Sequence, residues 1–550
     1  MGSAEPEVVK ILFTYGSEKQ AWIEELTARF NADAAQTVGG KRIVVEAVAT
    51  GSGEVIEELI DERRKPHLIS PASGVYIKLG NAQSQKKNKT DLVGSTRNLV
   101  RSPVVIAMWK PMAESLGWPK KPIGWSEILA LSSEDKAWEK RGFPEWGPFT
   151  FGHTHPDLSN SGLISIFAEV YAAPGVGKTS GLTVEDVGKP AVAEFVGKVE
   201  RSVVYYGSST GFFAKKMFEG GPGYLSAAVL YENMVIESYD KNLYKPQFPV
   251  VAIYPKEGTF VSDHPVGIVE RDWVKPAHRE AAEKYIAFML APEQQKKAMT
   301  FGFRPGLENI DIASPIDSAH GVDPLEPKRT LQVPKVEVME AIREVWQANR
   351  RQTSITLVFD TSGSMNDNDR MTNARLGAKT FAEKLSDRDF LSIVPFSTKV
   401  ADIKGRLMMS RNGGDAKKFI DRLIPRGETA LFDAIETAHG LAQDEANKSM
   451  IPCVIVLTDG MNNRSAKFAT NLTAEQNKQV LKDLLERVKI NPEKSPVRIF
   501  TIGYALNPKR REEAEAIEAL RSIADVSEGK YYEGTPDNIE EIFREIRKFF

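Results

Sequence analysis

Apolar and polar positions along this chain fall into a repeating unit of strand, small-residue turn and helix. The run Val8-Val9-Lys10-Ile11-Leu12-Phe13 predicts a buried strand, and Thr14-Tyr15-Gly16-Ser17 predicts the turn that follows. Trp22, Ile23, Leu26 and Phe30 then recur at helical spacing on one face. Ser17, with Gln20 three residues on, reads as a capping box for that helix. The same order returns at 43–48, with the turn Ala49-Thr50-Gly51-Ser52-Gly53 and a helix over 54–64. A third junction runs from an aromatic strand at 149–154 through Ser159-Asn160-Ser161-Gly162 into an apolar helix over 163–171. Such repeats predict an α/β fold whose helix N-termini, with unpaired amides and a positive dipole end, face one crevice.

Beyond these repeats, 225–230 and 250–254 read as strands and 279–290 as a helix. From 302 to 334 the chain becomes proline-rich and weakly periodic, which predicts a linker, and a helix follows over 336–350. From 353 onward alternation is more regular: strands at 355–359, 390–396, 454–457 and 497–502, and helices at 373–385, 430–445, 473–488 and from 538. This section predicts a doubly wound domain of its own. The domain expectation is 7–305 for a first module, 306–352 for a linker and connecting helix, and 353–550 for a second module.

Length and composition agree with that division, since 550 residues exceed what one hydrophobic core organises. With 72 basic against 74 acidic side chains, overall charge gives no reason to expect a nucleic-acid partner. The single cysteine, Cys453, sits in an apolar run and reads as a buried, inert thiol. No apolar stretch approaches the roughly 18 to 20 residues that span a bilayer. The opening Met1-Gly2-Ser3-Ala4-Glu5-Pro6 reads as an appended leader ahead of a mature sequence, with a signal peptide or membrane anchor removed.

The strongest chemical signal is spread over three distant segments. Asp360-Thr361-Ser362-Gly363-Ser364-Met365 supplies a carboxylate and two hydroxyls at i, i+2 and i+4, just beyond a buried strand. Thr429 lies on a loop entering a helix, and Leu457-Thr458-Asp459-Gly460 ends another apolar strand in a carboxylate. In a parallel sheet these loops share one edge. Taken singly, each segment has a plain alternative as a helix cap or turn. If they converge, five hard oxygen donors with two negative charges suit Mg2+, or Mn2+ or Ca2+, and not zinc.

Together the three segments resemble the von Willebrand factor A family, whose metal-ion-dependent adhesion site uses Asp-x-Ser-x-Ser, a distant threonine and a distant aspartate in this order. The resemblance covers about 200 residues and implies a Rossmann-like domain with Asp360, Ser362, Ser364, Thr429 and Asp459 at the metal. It also implies a protein partner that presents Asp or Glu to the ion. Asp367 and Asp369, close after the motif, read as solvated residues.

Residues 7–305 resemble type II periplasmic solute-binding proteins. The resemblance rests on the opening strand-turn-helix, on Gly124-Trp125-Ser126-Glu127-Ile128-Leu129, and on a closing stretch from Ala281 through Pro292-Glu293-Gln294-Gln295 to Gly302-Phe303-Arg304-Pro305. It implies two α/β lobes joined by crossing strands, an extracytoplasmic location, and a small anionic or polar solute between the lobes. Ser17, Ser52 and Ser161 are candidate contacts, with simple helix capping as the alternative for each. Tyr231 and Glu232 follow a strand toward the same cleft, Glu232 reading equally as a surface or hinge residue. His153, His155 and Asp157 read as loop or hydrogen-bonding residues more than as metal ligands.

No serine-elbow, phosphate-loop or paired-cysteine pattern is present, so the expectation is a binding protein and not an enzyme. A metal-dependent phosphatase would want a second acid or nucleophile beside Asp360, where position 362 is serine. The leading expectation is metal-dependent partner binding by a module fused to a solute-binding-like one. The alternative is the solute receptor of an ABC-type transport system with an accessory A-type domain.

Overall fold

The computed structural model describes residues 8–400, 402–444, 450–490, 497–547 and 549, so the leader expected at Met1 to Pro6 lies outside the described residues. The chain divides into two compact units, Met1–Arg350 and Arg351–Phe550.

The first unit contains two sheets. One has the order Thr37–Val38, Lys41–Thr50, Val8–Gly16, Leu68–Ser70, Pro265–Val269, Val93–Asn98. The strand Val8–Gly16 runs parallel to both of its neighbours, as strand-turn-helix repeats require. Its inward residues Ile11 and Phe13 are fully buried. Tyr285, on the helix Pro276–Met289, meets Phe13 edge-on at 5.7 Å and Phe30 at 4.9 Å. Each such ring contributes about 1.5 to 3 kcal/mol by leaving water. The other sheet has the order Val250–Ile253, Val100–Trp109, Ala227–Tyr231, Phe151–Thr154, Val203–Gly207.

The chain crosses between the sheets three times, the last where Arg304–Pro305 pairs with the start of Val100–Trp109. Val93–Asn98 belongs to the first and Val100–Trp109 to the second, with Leu99 between them. On the return, Val261–Ser262 pairs in the second and Pro265–Val269 in the first. These crossings make two lobes out of one chain, the arrangement implied by the solute-binding resemblance.

The proline-rich stretch expected to be a linker is held against the second lobe. Its Leu331 and Gln332 amides donate to Thr259 and Thr179 carbonyls, and Gly321 accepts from Ala252. Ile316, Val322 and Leu331 are buried. These widely spaced apolar residues and backbone bonds attach an irregular segment that shows no periodicity in sequence. The helix Val336–Asn349 follows, burying Val338, Met339, Ile342 and Trp346 against the helices Asn160–Ala172, Val184–Val187 and Pro190–Glu200. The first unit therefore runs to Arg350.

The second unit is one sheet in the order Lys404–Met408, Phe390–Phe396, Thr353–Asp360, Ile451–Thr458, Arg498–Tyr504, Tyr531–Gly534. All pairings are parallel except that of the edge strand Lys404–Met408. Every residue of Thr353–Asp360 and Ile451–Thr458 is buried, the mark of strands covered by helices on both faces. From Thr353–Asp360 the next strand lies to one side and Ile451–Thr458 to the other. The strand order thus reverses between them, and crevices open at the carboxyl ends of strands at such a point. Among the described residues, four strands and α-helices add to those expected from sequence, Lys404–Met408, Met409–Asp421, Arg511–Val526 and Tyr531–Gly534, besides the 3-10 turn Gly363–Asp369.

Candidate metal centre and interlobe cleft

Asp360 ends its strand at this reversal and is fully buried. One carboxylate oxygen, Oδ1, accepts the Ser362 amide at 2.7 Å, and Oδ2 accepts the Thr458 hydroxyl at 2.5 Å. Pairing of Phe359 with Leu457 puts Thr458 beside it, so the hydroxyl that orients Asp360 comes from the neighbouring strand's end. Ser362 Oγ lies 3.1 Å from Ser364 Oγ, which donates to Asp459 Oδ1 at 2.7 Å. Thr429 Oγ1 and Ser364 Oγ lie 3.5 and 3.9 Å from the point a Cβ on Gly460 would take. The Thr429 amide donates to Asn463 Oδ1 at 2.8 Å, which fixes the loop. All five expected residues therefore gather at one sheet edge. Asp360, Ser362, Thr429 and Asp459 are buried, while Ser364 is half-buried and Gly363 exposed, so the cluster opens to solvent on one side. Asp367 and Asp369 are exposed on the following turn.

Charge is the dominant feature of this cluster. Burial, and then the neighbouring Asp459, push the Asp360 carboxyl well above the usual range, and burial raises Asp459 as well. The positive charge recorded on the cluster is Arg370, whose Nη1 donates to Asp459 Oδ2 at 2.8 Å. A single guanidinium bound to one oxygen offsets one of two carboxylates. The donor set of two carboxylates and three hydroxyls fits a hard divalent ion such as Mg2+, which balances both charges. Arg370 and Thr458 were missed in sequence: nothing in a lone arginine six residues past the last serine of a motif, or in the residue before Asp459, marks a contact made across the fold.

In the first unit, Ser17 and Tyr231 reach the seam between lobes. Ser17 was expected to cap a helix, but it opens a short 3-10 turn, and the helix Gln20–Ala32 begins beyond it. Its hydroxyl lies 3.0 Å from Ser209 Oγ and accepts the Gly211 amide at 3.0 Å, both from the other lobe. Ser52 does begin a helix, yet its Oγ is taken by the Ala72 amide at 2.9 Å. Ser161 Oγ is held by Thr154 and Thr210 hydroxyls at 2.8 and 2.9 Å. Glu232 is engaged by neighbouring side chains of the protein itself. Its carboxylate takes two bonds from Arg304, at 2.8 and 2.6 Å, and one from Tyr254 at 2.5 Å, in full burial.

The seam holds a buried cluster that sequence reading missed. Lys19 Nζ lies 2.6 Å from Glu18 Oε1 and 3.3 Å from His264 Nδ1. Burial alone would raise the Glu18 carboxyl; Lys19 and His264 outweigh it and hold it near 2. Burial, then Lys19, lower His264 against the opposing pull of Glu18 and Asp263. His264 Nδ1 lies 3.3 Å from both Lys19 Nζ and Glu18 Oε1, and the buried Nε2 on the other side of the ring has no partner. Asn160 donates to the Tyr231 hydroxyl at 3.0 Å and to Ser262 Oγ at 3.2 Å, while its own Oδ1 is also without a partner. Tyr231 touches both, its ring 5.5 Å from that of His264. Two buried polar atoms without partners, His264 Nε2 and Asn160 Oδ1, thus flank Tyr231. Lobe-to-lobe bonds also run from Asn233 Nδ2 to Glu18 O and from the Gly53 amide to Leu158 O.

His153, His155 and Asp157 do not converge. His155 packs edge-on against Trp346, Asp157 pairs with Arg343, and His153 turns inward.

Comparison with known proteins agrees with this architecture. The family model of the bacterial extracellular solute-binding protein matches residues 11–304, and that of the von Willebrand factor type A domain matches 355–462. Among solved structures, the von Willebrand factor type A protein from Catenulispora acidiphila is 22% identical, over 36% of this chain and 43% of that one, with a TM-score of 0.28. This chain therefore spans less than half of that protein. A periplasmic thiamin binding protein is 14% identical, over 63% of this chain and 98% of that one, with a TM-score of 0.44. The periplasmic binding protein AfuA from Actinobacillus pleuropneumoniae, solved with fructose-6-phosphate, is 11% identical, over 62% and 97%, with a TM-score of 0.42. Matched over more than half its length, the chain belongs to the bacterial extracellular solute-binding protein family, and a von Willebrand factor type A domain follows its solute-binding module.

Proposed function

We propose that this chain is an extracytoplasmic binding protein whose second unit docks an acidic side chain of a protein partner through Mg2+, or Mn2+ or Ca2+ in its place. The ion would be held by Asp360, Ser362, Ser364, Thr429 and Asp459. The observation that carries the reading is two buried carboxylates, offset by one arginine, at a strand-order reversal with an open side at Ser364. A divalent ion bound there supplies an electrophilic position for an incoming carboxylate. The chain's own residues do the rest: Thr458 and the Ser362 amide orient Asp360, and Asn463 holds the Thr429 loop. Arg370 occupies Asp459 Oδ2, which favours hydroxyls as direct ligands and Asp459 acting through water. Position 362 is serine, so the site lacks the adjacent acid pair that turnover chemistry would use.

The test is binding of an acidic peptide series in Mg2+, in EDTA, and with Asp360→Ala. Binding abolished by either change supports the reading; affinity indifferent to both refutes it. A solute receptor is the second reading, favoured by the unmatched His264 Nε2 and Asn160 Oδ1 at the lobe seam. They suit a small polar solute that offers a donor to Asn160 Oδ1 and a hydrogen-bonding group to His264 Nε2. Thermal-shift screening against carboxylates, oxyanions, sugars and amino acids separates the two readings, because a tight ligand raises stability by mass action. Among the described residues no helix is long and apolar enough to cross a membrane.

A further inference from the structure

We propose that the second lobe holds a separate, structural divalent cation of the zinc class, bound by His153 Nε2, Glu169 and Glu200. The three side chains come from the strand Phe151–Thr154 and the helices Asn160–Ala172 and Pro190–Glu200, and all are fully buried. One ligand atom from each lies within 4.8 Å of the others. His153 Nδ1 sits 2.7 Å from the Thr154 carbonyl, which can only accept, so Nδ1 carries the proton and Nε2 of the neutral ring presents a lone pair. That lone pair faces Glu200 Oε1 at 2.9 Å. Two lone pairs so close need a cation or an extra proton between them. Glu200 Oε2 accepts the Tyr206 hydroxyl at 2.6 Å. Glu169 Oε1 takes one bond from Ser165 at 3.2 Å, and its Oε2 is buried with no partner.

These two buried carboxylates form no ion pair with Lys or Arg among the described residues, the Arg350 charge acting on Tyr206 beside Glu200. Burial, and then Glu200, drive the Glu169 carboxyl far upward when no ion is present. A divalent ion removes both problems at once, because it cancels two negative charges and accepts the imidazole lone pair. Ligand atoms bound at about 2.0 to 2.2 Å around one ion lie roughly 3 to 3.5 Å apart, so small side-chain rotations suffice. One imidazole nitrogen with carboxylate oxygens favours zinc or manganese over magnesium or calcium. The ion would tie together the elements on which the helix Val336–Asn349 packs. Trp346 of that helix lies 5.7 Å from the Tyr206 ring, which provides an optical reporter.

The competing arrangement fills the pocket with protons, one on His153 Nε2 and one on Glu169. To separate the two, the full chain carrying Asp360→Ala, which disables the other centre, is unfolded in denaturant with EDTA. It is then refolded with ZnSO4 or without metal, and desalted. Bound metal is read by mass spectrometry and unfolding by tryptophan fluorescence; chain purified without refolding is measured in parallel. The expected result is about one zinc per chain and a higher unfolding midpoint with zinc, both lost on adding Glu169→Gln. Glutamine is nearly isosteric with a protonated glutamate, so the proton arrangement tolerates it. Absence of bound zinc in both preparations, or zinc retained equally by Glu169→Gln, overturns the proposal. Because Asp360→Ala already disables the second-unit centre, either outcome leaves the partner-docking reading to its own Mg2+ and EDTA test.

Discussion

Magnesium should protect Cys453 from thiol reagents while leaving tryptophan fluorescence unchanged. All eight tryptophans lie at or before position 346, and the single cysteine lies in the second unit, so two intrinsic probes report the two units separately. Cys453 is buried in the strand Ile451–Thr458, and burial raises its thiol far above the ordinary value, so it reacts only when that unit opens. An ion at 100 times its dissociation constant stabilises the closed unit by about 2.7 kcal/mol, which slows labelling about 100-fold. Asp360→Asn should abolish this protection. In EDTA the same variant should label no faster than wild type, because the amide removes one of two buried like charges. Its new N–H can donate to Thr458 Oγ1, whose own proton can turn toward the Gly460 carbonyl now 3.3 Å away. The assay is a labelling time course in EDTA and in Mg2+ for both proteins, with fluorescence recorded in parallel. Equal protection of both proteins by Mg2+ would refute the assignment of Asp360. Protection accompanied by an equal fluorescence shift would reveal a general salt effect. Labelling of Asp360→Asn more than about tenfold faster in EDTA would mean that its acceptor bonds matter more than charge relief.

Three further outcomes are expected. Arg370→Gln should tighten Mg2+ binding by about two- to tenfold in calorimetric titration, since it frees Asp459 Oδ2 from a competing cation; weaker binding would show that the guanidinium positions the carboxylate. Glu232→Gln leaves Arg304 buried and half-paired, so urea unfolding followed by fluorescence should lose about 3 to 5 kcal/mol, with Cys453 labelling unchanged; a loss below about 1 kcal/mol would return Glu232 to the list of solute contacts. Burial, then His278, lower His67 to about 4, and its Nδ1 accepts the Leu12 amide, so the folded state binds this proton later than the unfolded one. Its stability contribution is complete above the unfolded value of about 6.5 and lost as pH falls toward 4. The urea midpoint should therefore drop between pH 7 and 5 more steeply in wild type than in His67→Gln, and equal slopes would refute the role.

Burial decided what was legible in sequence. Strands covered on both faces, such as Thr353–Asp360 and Ile451–Thr458, are near-continuous apolar runs and were readable. The edge strand Lys404–Met408 buries little beyond Leu407, and its Lys-Gly-Arg start carries no alternation strong enough to read. The helix Arg511–Val526 buries Ala516, Ala519 and Ala524 among its larger residues, and alanines blur an apolar stripe. At the candidate metal centre the motif named the five oxygen donors that gather there, because those residues differ from ordinary turn formers in type and spacing. Thr458 and Arg370 differ in neither, and only the fold brings them to Asp360 and Asp459.

The cleft misled for a different reason. A serine after a strand reads the same whether its hydroxyl caps a helix, binds a solute or bridges two lobes. Ser17 bridges, and with Asn233 and Gly53 it contributes to a set of direct lobe-to-lobe bonds. Opening the lobes would expose these groups to water, so the closed form stands on bonds each worth only about 0.5 to 1.5 kcal/mol net. A solute that leaves them intact has to satisfy His264 Nε2 and Asn160 Oδ1 within the closed seam, whereas a larger one has to replace some of them. Affinity should therefore fall with solute size once the solute outgrows those two groups, and Ser17→Ala should weaken binding of small solutes more than of large ones. The opposite ranking in calorimetric titration would show that the seam opens to bind and that its present bonds are spectators.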